Sequence, residues 1–73
     1  MMMLEDVTRA RAQARVLYVE GARWLVYELL TAYDRRGASL VFESENVVRR
    51  VRDFPRNWRD LPDADLLPLM ERS

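Results

Sequence analysis

Two runs of strand-forming residues on either side of a glycine-containing turn constrain the fold of this chain more than any other feature. Residues 16–19 and 23–30 are rich in valine, leucine and aromatic side chains, and residues 20–22 separate them. Short β-rich runs joined by a tight turn predict a β-hairpin. Apolar side chains occupy both faces of the second run, so we expect that strand to be central in a sheet and covered on both sides.

Further strands are expected downstream of the hairpin. A polar loop over residues 31–38 leads to a third alternating strand over residues 39–44. Residues 47–54 fit either a fourth strand or a helix that aligns their apolar positions with Trp58. Their β-branched content and the turn predicted at residues 44–46 favour the strand.

The two ends of the chain carry helix patterns. Residues 4–14 combine good helix formers with acids in the first turn, which predicts a short helix or, alternatively, an N-terminal arm. A second helix is expected within residues 60–71, with Asp60 as N-cap and Pro62 in the first turn. Pro68 should kink or shorten it.

These elements define an α+β fold in which a small antiparallel sheet of three to four strands packs with a short C-terminal helix. If residues 4–14 are helical, they add an N-terminal helix. Residues 1–14 form the helix or arm, and residues 15–73 form a single small domain. Apolar residues make up 49% of the 73 residues and charged residues 33%, a balance typical of folded domains. A domain this small usually needs a disulfide, a metal or an interface for stability.

The missing residue types exclude most catalytic chemistry. The chain has no cysteine and no histidine, and its 12 basic residues are all arginine. No thiolate, imidazole or lysine amine can therefore act as nucleophile or base, and no zinc site can be built from cysteine or histidine. The carboxylate pairs Glu43/Glu45 and Asp63/Asp65 fit structural roles better than acid/base or metal chemistry. We expect a non-enzyme without cofactor or metal.

No segment predicts insertion into a membrane. No uninterrupted apolar stretch is longer than that of residues 24–27, which is far short of the roughly 20 residues of a spanning helix. The N-terminus continues into acids and lacks the basic region of a secretory signal. We expect a cytoplasmic protein that can also lie at the periphery of a membrane.

A net charge of zero conceals a strong segregation of charge. Residues 46–59 hold five arginines and one aspartate, whereas residues 60–71 hold four acids and no base. Arginine beside aromatic residues is typical of nucleic-acid binding and also of docking on acidic protein surfaces. The alternative is that these arginines pair with neighbouring acids, for instance Glu43 across a hairpin, and form an ordinary solvated face.

The predicted partner-binding residues combine this basic segment with a loop tip. The loop at residues 33–37 carries two guanidinium groups beside a tyrosine, a composition enriched at binding hot spots. Trp24 and Trp58 fit core or lid positions better than ligand platforms. The candidate contact residues are Arg35, Arg36, Arg49, Arg50, Arg52, Arg56, Trp58 and Arg59.

A series of short motifs resembles a family of short uncharacterised bacterial proteins. The motifs are Trp24-Leu25-Val26-Tyr27-Glu28, Tyr33-Asp34-Arg35-Arg36-Gly37, Leu40-Val41-Phe42-Glu43-Ser44, Val48-Arg49-Arg50-Val51-Arg52 and Trp58-Arg59-Asp60-Leu61. The resemblance covers residues 15–70 and implies a compact stand-alone bacterial module without a known activity. The chain departs from the family pattern at residues 62–65 and at Pro68, which affects the expected length of the last helix.

These features together favour a non-catalytic interaction or structural module. We expect an accessory subunit that docks on a larger protein assembly, and a membrane-bound complex, such as a photosynthetic one, is the most concrete host. The alternative is a small nucleic-acid-binding regulator that uses the segment from Arg49 to Arg59. The neutral net charge argues against that alternative, because nucleic-acid binders of this size are usually strongly basic.

Overall fold

In the part of the chain that the structure describes, a four-stranded antiparallel sheet carries one helix on each face. The computed structural model describes residues 4–30 and 38–72, and it describes side chains in residues 8–29 and 38–72. The elements in chain order are α1 (Leu4–Ala12), β1 (Arg15–Val19), β2 (Ala22–Leu30), β3 (Ala38–Glu43), β4 (Val48–Val51), a 3-10 turn (Trp58–Asp60) and α2 (Asp63–Glu71). The strands lie in the order β1-β2-β3-β4. The predicted α+β fold is confirmed.

One face of the sheet packs against α2 and forms the main core. We call it the α2 face. Its buried strand residues are Leu17, Trp24, Val26, Leu40, Phe42 and Val51, and Leu66, Leu69 and Met70 of α2 cover them together with Trp58. Burial of these side chains supplies the largest favourable contribution to folding.

The opposite face packs against α1 and holds a smaller cluster. We call it the α1 face. Tyr27, Leu29 and Val41 are buried there, and Ala10 and Ala14 pack against them. The small alanine side chains allow α1 to lie close to the sheet. Because β2 contributes to both clusters and lies between β1 and β3, the prediction of a central strand covered on both sides is confirmed.

The hairpin between β1 and β2 closes through a two-residue turn. Val19 pairs with Ala22, and the two residues between them, Glu20 and Gly21, have φ angles of 50° and 83°. Two successive positive φ angles are the signature of a type I′ turn, whose twist matches that of the flanking strands. Glycine adopts this conformation without steric cost, whereas a glutamate does not.

The basic segment after β3 forms a shorter strand than expected. β4 covers only Val48–Val51 of the predicted residues 47–54, and the chain then bends and turns towards the 3-10 turn. The helix alternative for this segment is wrong. Burial of Val51 and Trp58 on the same side of the sheet explains the early end, because an extended strand could not bring both into one core.

Two details of the C-terminal helix differ from expectation. Asp60 is not its N-cap: it ends the 3-10 turn, and Pro62 occupies the N-cap position of α2. Trp58, the first residue of the 3-10 turn, is buried before α2 begins. Pro68 does not shorten the helix at its C-terminal end, which reaches Glu71 as in the predicted range. Pro68 is exposed, and its ring removes one backbone donor without blocking the buried side.

The loop over residues 31–37 lies outside the described residues. The prediction that Arg35 and Arg36 form a contact site at its tip therefore stays a prediction.

Substitutions in the β1–β2 turn should change stability in opposite directions. Gly21→Ala should destabilise the protein by about 1 kcal/mol through its φ angle alone, because no atom lies within 4 Å of the added Cβ. Glu20→Asn should stabilise it by a few tenths of a kcal/mol to about 1 kcal/mol, because asparagine tolerates positive φ better. Urea unfolding at fixed pH measures both, and equal stability of Gly21→Ala and the parent protein would contradict the assigned turn.

Candidate interaction site

The predicted basic segment is divided between two edges of the sheet. Arg49 and Arg50 lie on β4, an edge strand. Arg56 precedes the 3-10 turn, and Arg59 lies within it. That turn is tied to Arg15 of β1, the strand at the opposite edge. The guanidinium groups therefore do not form one continuous basic strip.

The arginines of β4 point to opposite faces of the sheet. Arg49 is opposite Phe42 of the α2 face, and Arg50 is opposite Val41 of the α1 face. Both are exposed, and neither forms an ion pair with the described residues. The sequence left open an ion pair between Glu43 and these arginines across the hairpin. In the structure Glu43 forms its ion pair with Arg11 instead.

Arg52 differs from its neighbours on β4. It lies just after the strand and is engaged in an interaction within the protein. We therefore do not count it among the free cations of this edge.

Three predicted contact residues line a single groove. This arginine groove has a volume of about 390 Å³ and is open to solvent. Its lining residues are Ala10, Gln13, Glu28, Arg56, Trp58 and Arg59. The sequence predicted Arg56, Trp58 and Arg59, and the fold brings α1 and β2 against them.

Trp58 is a core residue rather than an exposed contact. Only 2% of its surface is exposed, and it belongs to the main core. Its indole Nε1 donates a 3.0 Å hydrogen bond to Oε1 of Glu28 at the groove. The structure therefore assigns Trp58 the core role, the interpretation favoured for both tryptophans, and a partner would reach the groove arginines rather than the indole ring.

Arg59 is held by the groove itself. Its guanidinium lies over the Trp58 ring, 4.6 Å from the ring centroid, and its Nη1 donates a 2.8 Å hydrogen bond to the carbonyl of Gln13. A guanidinium has five N–H donors, so this geometry leaves others available to a ligand. Arg56 is exposed and forms no ion pair with the described residues.

Arg15 fixes the backbone beneath the groove. Its Nη1 donates to the carbonyls of Trp58 and Arg59 at 3.3 and 3.1 Å, and its Nη2 binds Oδ1 of Asp63 at 2.7 Å. One side chain thus links the start of β1, the 3-10 turn and the first turn of α2. The groove is therefore built on a backbone that is already ordered before any ligand arrives.

Sequence reasoning missed Arg15, Gln13 and Glu28. Arg15 and Glu28 were detectable in principle, because each is a charged residue in an otherwise apolar strand on the covered α2 face. Gln13 contributes its backbone carbonyl, so its residue type gives no signal.

A second polar network joins α1 to the sheet. Oε1 of Glu43 accepts a 2.8 Å hydrogen bond from the Tyr27 hydroxyl, and its Oε2 pairs with Nη2 of Arg11 at 2.8 Å. Burial, then the hydrogen bond to Glu43 and its negative charge, raise the pKa of Tyr27 to about 12 from its ordinary 10.0. This arrangement agrees with the structural reading of Glu43.

In the part of the chain that the structure describes, no group of three or more acidic side chains is positioned to hold a metal ion. None of the helices in residues 4–30 and 38–72 has the length and hydropathy needed to cross a bilayer.

Comparison of the chain with models of protein families, with curated proteins and with solved structures finds no match. The site must therefore be interpreted from its own geometry.

Replacing Arg15 should destabilise the backbone beneath the groove. Arg15→Lys keeps the charge, but a single ammonium group cannot reach the two carbonyls and the Asp63 carboxylate in the same forked geometry. We expect a loss of roughly 1–2 kcal/mol in the free energy of unfolding, measured by urea denaturation. Arg49→Lys is the matched control and should change stability by less than about 0.5 kcal/mol. Equal effects of the two substitutions would contradict the bracing role of Arg15.

The pKa of Tyr27 predicts a loss of stability at high pH. Because the folded pKa of about 12 exceeds the ordinary 10.0, folding favours the protonated hydroxyl. The raised pKa contributes roughly 2–3 kcal/mol to the free energy of unfolding. This contribution is fully present below pH 10 and is lost as the pH rises towards 12. Chemical denaturation at several pH values measures it. The free energy of unfolding of Tyr27→Phe should fall much less over this pH range, whereas that of Tyr18→Phe should fall as in the parent protein. An equal fall in Tyr27→Phe would contradict the assignment of this pH dependence to Tyr27.

Proposed function

We propose that this protein is a non-catalytic docking module, an accessory subunit that binds an acidic segment of a larger protein assembly in the arginine groove. The observation that carries the proposal is the placement of Arg56 and Arg59 on one groove, beside the buried ring of Trp58. Arginine recognises carboxylates through paired hydrogen bonds and is enriched at protein interfaces.

Preorganisation of the groove supports this role. Arg59 is held by the Trp58 ring and by Gln13, and Arg15 fixes the backbone below it. A ligand would therefore order few additional groups, and the entropic cost of binding is correspondingly small. A stable groove on a small domain suits a binding function better than a purely structural one.

The charge of the groove favours a protein carboxylate over a nucleic acid. Arg56 and Arg59 contribute two positive charges, and Glu28 contributes one negative charge, which leaves a single net positive charge. A nucleic acid presents a regular series of phosphates and needs several cations along one track. Arg49 and Arg50 lie on β4 at the other edge of the sheet, and they do not extend such a track from the groove.

The most concrete host remains a membrane-bound assembly, such as a photosynthetic complex, contacted from its water-exposed side. Guanidinium groups suit this location because they can bind acidic subunits and anionic headgroups alike. The edge strand β4 provides a second contact surface of mixed apolar and cationic character. It consists of the exposed Val48 and the two arginines that follow it, Arg49 and Arg50.

Charge reversal in the groove should abolish partner binding. Tagged parent protein should co-purify from its native cells at low salt with an acidic partner in a fixed stoichiometric ratio. Arg56→Glu should reduce that recovery at least tenfold, because it converts the net charge of the groove from positive to negative, and quantitative mass spectrometry measures the ratio.

Arg23→Glu is the matched control, because Arg23 is exposed, lies outside the groove and forms no ion pair with the described residues. It should retain the partner. Absence of any stoichiometric partner, or equal recovery with Arg56→Glu, would contradict the proposal. A titration with random DNA and RNA at two salt concentrations tests the alternative function, which requires tight binding with a steep salt dependence.

A further inference from the structure

The β1 strand leaves one edge of the sheet unpaired. Among the strands of residues 4–30 and 38–72, β1 pairs with β2 alone, so its other side is the outer edge of the sheet. Two apolar side chains lie along this strand on the α1 face, Val16 with 38% and Tyr18 with 67% of their surface exposed. An edge strand of this kind is a template for pairing with another strand.

The turn geometry determines which backbone groups face outwards. Val19 and Ala22 flank the two-residue turn and form a hydrogen-bonded pair, and such pairs recur at every second residue of an antiparallel ladder. Leu17 therefore also bonds to β2. The N–H and C=O groups of Val16 and Tyr18 point outwards, and no hydrogen bond within the described residues uses them.

The two edges of the sheet differ in how they are protected. β4 carries Arg49 and Arg50, and antiparallel pairing of β4 with its own copy about its centre would place these like charges together. Charged residues on an edge strand oppose such pairing. β1 has no charged residue between Arg15 at its start and Glu20 after its end. Only β1 is therefore an unprotected edge.

We propose that β1 pairs with β1 of a second copy of this chain, antiparallel and centred on Leu17. This register places Val16 of each copy opposite Tyr18 of the other. Both residues have outward-facing backbone groups, so the two pairs form four hydrogen bonds across the interface. Each pair also matches an aromatic with a β-branched side chain, a favourable cross-strand combination.

In this register Val19 of each copy lies opposite Arg15 of the other. The Arg15 side chain lies on the α2 face and is held by Asp63 and the carbonyls of the 3-10 turn, so it introduces no like-charge contact between the paired strands. The result is a continuous eight-stranded sheet.

The interface is small, so the dimer should be weak. Pairing of two five-residue strands covers less than the roughly 1,000 Å² that stable interfaces bury. We expect a dissociation constant on the order of 0.1 mM, and dimer formation should therefore be visible only at high protein concentration.

Sedimentation equilibrium up to about 1 mM tests the dimer. Tyr18→Pro removes an outward N–H without removing a bond to β2, and it should weaken association at least tenfold. Val48→Pro is the matched control, because the bond from Ser44 N–H to the Val47 carbonyl gives Val48 an outward N–H on β4. It should leave association unchanged. A protein that is monomeric over the whole range, or equal effects of the two prolines, overturns the proposal.

A second variant covers the case in which proline at residue 18 unfolds the protein. Val16→Lys combined with Tyr18→Lys places lysines opposite each other in the dimer while replacing two exposed side chains. This variant should remain folded by circular dichroism and be monomeric at 1 mM. A folded variant that associates like the parent protein overturns the proposal.

Disulfide trapping tests the register. The chain has no cysteine, so Val16→Cys combined with Tyr18→Cys introduces the only thiols. Oxidation should yield a covalent dimer, because directly opposed residues lie within disulfide range. Val48→Cys with Arg50→Cys on β4 is the control and should remain monomeric. Equal cross-linking of both pairs overturns the assigned edge. Arg56→Glu should not alter any of these results, which separates this dimer from the proposed docking function.

Discussion

Burial of both faces of β2 is the constraint on which the rest of the structure depends. Trp24 and Val26 face α2, while Tyr27 and Leu29 face α1. A chain this short can cover both faces only if its N-terminal and C-terminal segments lie on opposite sides of one sheet. The arginine groove is a consequence, because it forms where the end of α1 and the 3-10 turn approach the same strand at Glu28.

Polar contacts between these layers do more for geometry than for the total stability. Arg15 joins β1 to the 3-10 turn and α2, and Glu43 joins β3 to α1 through Arg11. Partly exposed ion pairs contribute little stability on their own. These contacts instead fix the positions of the 3-10 turn and of α1 relative to the sheet, which the apolar core does not fix by itself.

The sheet has two edges with opposite chemical character. β4 presents arginines that oppose strand pairing and suit contact with acidic surfaces, whereas β1 presents valine and tyrosine beside free backbone groups. A small domain that cannot form a disulfide can gain stability from association. The lining of the groove includes no β1 residue, so the proposed self-pairing and the proposed docking use different residues.

The sequence by itself determined the hairpin, the central strand and the α+β class, because apolar alternation and turn residues act over short distances. It also identified Arg56 and Arg59 through their local charge. Only the tertiary structure decided where these arginines lie: burial of Val51 and Trp58 in one core ended β4 early and carried the basic segment from one edge of the sheet to the other. Glu28 and the Gln13 carbonyl joined the site for the same reason. Contacts between residues about 30 to 46 positions apart depend on packing, which no local pattern encodes.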